Sequence, residues 1–131
     1  MRSVFEIAAR YVEPSLKRIL VEKLLEMGIS ASEVAACLRV SPSLVTRYSR
    51  RERGVQDLSA IPEVDTALQK LASRVVEEGL CGEDLYLEVA RLVVFVMSRK
   101  YACAIHYHLS EDVNPATCNI CPTLFATPPS R

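Results

Sequence analysis

Two constellations in this 131-residue chain could do chemistry. The first is Cys103, His106, Cys118 and Cys121, spaced C-x2-H-x11-C-x2-C. Thiolates and imidazoles are metal ligands, and two close pairs separated by a loop let four groups surround one ion. Zinc at tetrahedral geometry suits that donor set. Pro115 and Pro122 flank the second pair, as in a rigid knuckle. This end of the chain has few large apolar residues, so a bound metal would substitute for core. Two other readings stay open. Cys81 brings the cysteines besides Cys37 to four, enough for an iron–sulfur cluster, with His106 then a bystander or an unusual ligand. Alternatively, Cys118 forms a disulfide with Cys121, or one of them with Cys103. Cys37 reads as a small buried apolar residue, His108 as a surface histidine, and Tyr101 and Tyr107 as packing around the site.

The second constellation is the run from Ser30 to Gly54, SASEVAACLRVSPSLVTRYSRRERG. Its chemistry is recognition of a polyanion. Ser30 with Glu33 three residues on makes a capping box. Val34, Ala35 and Leu38 then share one face of about two helical turns. Arg39-Val40 makes a turn with Val40 as its apolar plug. Ser41 caps a second helix and Pro42 takes its first position, where a missing N–H costs little. Val45 and Tyr48 point inward. Ser43, Leu44, Thr46 and Arg47 are left on the opposite face, followed by Arg50, Arg51 and Arg53, with Gly54 as a C-terminal cap.

This window resembles the Cro/repressor-type (XRE-like) helix-turn-helix through Ala35, Leu38, Val40, Val45 and Tyr48. Over most of its length the chain is also similar to small archaeal predicted transcription regulators with that domain first and a cysteine-rich C-terminus. Arg39 is a departure. Such turns usually carry Gly, because the turn residue tends to adopt φ > 0, and Arg there should cost about 1 kcal/mol or mark a slightly different turn. The resemblance implies double-stranded DNA as partner. Ser43, Leu44, Thr46 and Arg47 would enter a major groove. Arg47 would hydrogen-bond a guanine and Leu44 would touch a thymine methyl, while Ser41, Arg50, Arg51 and Arg53 would hold phosphates. The alternative is a non-enzymatic protein-interaction adaptor with a structural zinc knuckle, whose basic helix meets an acidic partner.

Charge distribution fits a two-sided molecule. Residues 1–54 hold ten Lys/Arg against six Asp/Glu, a balance of +4, and residues 55–131 hold six against ten, a balance of −4. One face toward DNA and one away is the expectation. Enzyme chemistry is not expected: there is no Gly-rich phosphate loop, and no βαβ pattern surrounds Cys118-x-x-Cys121. Glu77-Glu78 and Glu83-Asp84 read as helix-end carboxylates. No small-molecule substrate is evident. No signal peptide is read at the N-terminus, and the longest apolar run, Val93 to Met97, is too short to span a membrane. A cytoplasmic protein is the expectation.

The elements that must position these residues read as all-α. Val4 to Tyr11 forms a first helix with Phe5, Ala8, Ala9 and Val12 as its stripe. Pro14 breaks or kinks it. A second helix runs to Met27 with Leu16, Ile19, Leu20, Lys23 and Leu24 on its face, and Gly28 closes it. Glu63 to Glu78 is helical with Val64, Leu68, Leu71, Val75 and Val76 inward, ended by Gly79. A last helix starts at Glu83 or Asp84 and runs to about Lys100. Its middle is apolar nearly all round, which reads either as a dimer interface or as a central core helix. Three regions follow: a helix-turn-helix domain at 1–56, a helical dimerisation or core region at 57–102, and a Cys/His knuckle at 103–131 ending in a loose tail from Pro122.

Overall fold

The computed structural model describes residues 2–54, 56–109 and 114–125, and all regular structure among them is helical. Ser3 opens the first helix, α1 (Val4–Ile7), by accepting the Phe5 N–H on its hydroxyl. The chain then passes through a π-helical turn, Ala8–Val12, directly into α2 (Glu13–Glu26). Pro14 therefore does not break the helix. It has no N–H to give, and the widened turn before it absorbs the missing bond, with buried Ser15 donating its hydroxyl to the Tyr11 carbonyl at 2.7 Å. The extra residue in that turn shifts the inward stripe. Val4, Ile7 and Val12 are buried, while Phe5 and Ala9 are exposed. The stripe expected through Phe5 assumed an unbroken 3.6-residue period.

Two eight-residue helices follow, α3 (Ala31–Leu38) and α4 (Pro42–Ser49). A short 3-10 turn at Leu58–Ala60 leads to α5 (Pro62–Glu78), and α6 (Gly82–Ser98) packs against it. Two short helices, α7 (Cys103–Leu109) and α8 (Ile120–Phe125), complete the described chain. Helix α8 occupies the start of the stretch expected as a loose tail, and residues 126–131 lie outside the described residues. None of the described helices is long and apolar enough to cross a membrane.

Helix α2 is the hub. Leu16, Ile19, Leu20, Val21 and Leu24 are buried against α4, α5 and α6. One apolar cluster runs from Val4 through Val34, Val45, Leu68 and Val96 to Cys121, so it draws on both halves of the chain. Val64, Leu68, Leu71 and Val75 of α5 face it as their spacing predicts, but Val76 lies on the exposed side.

One charged residue is sealed inside this frame. Arg18 is 1% exposed. Its guanidinium pairs with Glu22 at 2.9 Å, donates to the Gly54 and Gln56 carbonyls, and lies 3.6 Å from Asp57. These bonds hold Gly54, Gln56 and Asp57 against α2. Gly54 has φ +68, and a Cβ there would sit 2.3 Å from the Pro14 carbonyl oxygen. Its role is this close approach, because α4 has already ended at Ser49.

Candidate nucleic-acid interface and the cysteine cluster

Local chemistry accounts for both ends of α3 and α4. The Ser30 hydroxyl accepts the Glu33 N–H and the Ser41 hydroxyl accepts the Leu44 N–H, both at 3.2 Å. Each satisfies a donor that a helix start leaves orphaned. Pro42 takes the first position of α4. Arg39 adopts the left-handed conformation at φ 55, ψ 44 that its place in the turn requires. The Val40 N–H then reaches the Ala35 carbonyl at 3.0 Å and the Arg39 N–H reaches Ala36 at 3.3 Å, a Schellman closure. Helix α4 closes the same way on Arg51 at φ 58, with Glu52 N–H to the Arg47 carbonyl at 2.9 Å. In both closures a cation replaces the usual glycine. The strain of φ > 0 is partly offset by placing positive charge at the negative end of a helix.

The faces divide as the spacing predicts. Val34, Ala35, Val45 and Tyr48 are buried, and burial raises the Tyr48 phenol above its ordinary value. Ser41, Ser43, Arg47, Arg50, Arg51 and Arg53 are exposed. Leu44 and Thr46 are half-buried. Leu44 leans on the core cluster, and the Thr46 hydroxyl donates back to the Pro42 carbonyl at 3.2 Å. The Ser41 and Ser43 hydroxyls lie 3.1 Å apart at the helix start.

The four arginines are not equivalent. Arg51 pairs with Glu22 of α2 at 3.2 Å, so it partly serves the Arg18 network. Arg53 lies beyond the end of α4 and, among the described residues, is in no ion pair. Among the described residues, no ion pair engages the Arg47 or Arg50 guanidinium. Arg47 stands uncommitted on the outward face of α4, and Arg50 likewise at its C-cap.

The cysteines divide differently from any reading of their spacing. Cys37 and Cys81 form a disulfide, which joins α3 to the start of α6. Cys37 is buried as expected, but it is bonded, and Cys81 is thereby engaged away from the other thiols. A four-cysteine cluster that needs Cys81 has no free fourth thiol while this bond stands. Spacing alone gives no sign of the pair, whose members are 44 residues apart. Beside it, Gly82 lies under the Arg39 side chain: a Cβ at Gly82 would approach the Arg39 Nη2 to 2.9 Å.

Cys103, Cys118 and Cys121 are free thiols. Cys103, His106 and Cys121 line one void of about 10 Å³ with Ile7, Met97 and Ala102. Burial pushes the Cys121 thiol up to about 11 and raises Cys103, and in both Cys118 acts as a nearby second thiol. The buried His106 donates from Nε2 to the Arg2 carbonyl at 2.9 Å, which leaves Nδ1 as its acceptor nitrogen. A backbone carbonyl behind an imidazole is the usual support of a metal-binding histidine. The donor chemistry therefore suits a soft divalent ion. Even so, among the described residues no group of three or more His, Cys, Asp or Glu side chains is arranged to hold one. Tyr101 lies elsewhere, hydrogen-bonded to Glu63 and edge-on to Phe95, and Tyr107 and His108 are exposed.

No protein-family model, curated protein or solved structure matches this chain.

Proposed function

We propose that this protein is a non-enzymatic, sequence-specific DNA-binding regulator that reads DNA with α4 of a helix-turn-helix formed by α3 and α4. The observation that carries the reading is the pair of uncommitted guanidinia, Arg47 on the exposed face and Arg50 at the C-cap of a helix whose other face is locked into the core. Desolvated or paired arginines would be structural. Unpaired ones on a rigid element, beside exposed Ser41 and Ser43, suit base edges and phosphates. Arg47 reads a base edge, while Ser43, Leu44 and Thr46 border it. Ser41, Arg50, Arg51 and Arg53 hold the backbone, with Arg51 shared with Glu22.

Two further parts complete the proposal. The protein acts as a homodimer, so that two copies of α4 meet successive major-groove faces. Zinc is the metal that Cys103, His106, Cys118 and Cys121 would hold, and its work there is to tie α7 to α8 in place of core.

Arg47→Ala tests the central part. Binding to a preferred duplex should weaken by roughly 1–3 kcal/mol, with preference relaxed at one base position. A variant that leaves every duplex bound equally and weakly, as the parent would then be too, overturns base reading and favours the adaptor.

A further inference from the structure

Helix α6 keeps one face uncovered. Tyr86 is 62% exposed, Leu87 49% and Val94 41%, although Leu85, Val89, Leu92 and Val96 on the other side are buried. The open face has a regular spacing. Glu83, Leu87, Ala90 and Val94 follow one another at intervals of four, three and four, the spacing of a coiled-coil seam. Asp84 and Arg91 flank the seam on one side, and Tyr86 and Val93 on the other. Asp84, Tyr86 and Arg91 are exposed, and Val93 is half-buried.

We infer that this face is a homodimer interface in which α6 packs antiparallel against α6 of a second copy, about a two-fold axis between Leu87 and Ala90. The pattern is self-complementary at its centre and along its flanks in that register, with Glu83 opposite Val94 only at the two open ends. A two-fold interface requires that if one residue contacts another, the second contacts the first in return. With the axis so placed, Leu87 of one copy faces Ala90 of the other, large against small, and the same contact recurs by symmetry. Asp84 then faces Arg91, opposite charges, twice. Tyr86 faces Val93, apolar against apolar, twice. A parallel pairing would instead set Tyr86 against Arg91 and leave Asp84 with no opposite charge across the seam. Within one copy and among the described residues, the Arg91 guanidinium has one ion pair, a loose 3.9 Å contact with Glu88, and can turn to a partner. From Glu83 to Val94 the seam runs about 17 Å along the 17-residue α6.

This inference deepens the dimeric part of the proposed function, but its test needs no DNA. The full-length protein is sedimented over roughly a hundredfold range of concentration, with circular dichroism as the folding control. The wild type should be a dimer. Leu87→Glu should be a monomer of unchanged helicity. Asp84→Arg should shift the equilibrium toward monomer at least tenfold, and Asp84→Arg with Arg91→Asp should restore it. A wild type that stays monomeric throughout, or a Leu87→Glu variant that still dimerises, overturns the interface. If the double exchange does not restore the dimer, the antiparallel register is wrong. A dimer without DNA preference would sink the regulator and leave this interface standing, whereas a monomer that selects one DNA sequence would do the reverse.

Discussion

Arg18 of α2 reaches across 36 residues of sequence to donate its Nε–H to the carbonyl of Gly54. The bond sits where the basic N-terminal segment passes into the connector, and the same guanidinium holds Glu22, which in turn holds Arg51 at the end of α4. The set of α4 thus depends on a cation that is sealed from solvent.

Replacement of Arg18 by Met should therefore destabilise the whole protein. The Gly54 and Gln56 carbonyls would lose their donor and Glu22 its buried partner. Breaking a buried pair costs about 3–5 kcal/mol, and the partly exposed acceptors here place the loss near 3. Urea unfolding measures it. A loss below about 1 kcal/mol, the worth of one ordinary hydrogen bond, would mean that the network does not organise the connector.

The disulfide makes a second prediction. Cys37 and Cys81 close a loop of 44 residues, for which chain entropy gives about 4 kcal/mol. A thiol reductant should lower the denaturation midpoint accordingly. Cys81→Ser should show the same loss and no further response to reductant. Equal midpoints with and without reductant would mean that the bond adds nothing.

Two glycines with positive φ should respond very differently to alanine. At Gly28 a Cβ meets nothing within 4 Å, so only the backbone strain is added, about 1 kcal/mol. At Gly54 the same Cβ would collide with the Pro14 carbonyl at 2.3 Å, so α2 and the connector must separate. Gly54→Ala should cost several times what Gly28→Ala does, and equal costs would contradict the close approach.

In metal-free protein, Cys121 should be a slow thiol. Burial raises it from an ordinary 9.0 to about 11, so at pH 8 it is protonated and alkylates slowly. The sign for stability follows: a raised folded value contributes stability that is complete below pH 9 and is lost as pH rises toward 11. Mass spectrometry after timed iodoacetamide treatment would show Cys121 labelling only in the alkaline range. Rapid labelling at pH 8 would contradict its burial.

Much of the α3–α4 unit was legible because its signals are local. Ser30, Ser41 and Pro42 act within one turn of their own position, and of the two outcomes open at Arg39, a strained φ > 0 or a different turn, the first is found at φ 55. Gly79 is a local signal too, ending α5 at φ +70. Phe5 was misplaced because a widened turn before Pro14 moves the stripe by one residue, which periodicity cannot foresee. Arg18 and the Cys37–Cys81 bond were illegible for another reason. Their partners are distant in sequence, and nothing in an arginine on an amphipathic helix announces that a connector will fold over it. The cysteine cluster lies between these cases: spacing brought Cys103, His106 and Cys121 to one void, but not into a coordination shell.

Selection of bound duplexes from a random library, with purified protein at about 150 mM salt, tests the central claim most directly. A dimeric reader should enrich an inverted repeat with half-sites roughly ten base pairs apart. Well-folded protein that enriches no sequence would contradict base reading by α4 and reassign Arg47 and Arg50 to an acidic protein partner.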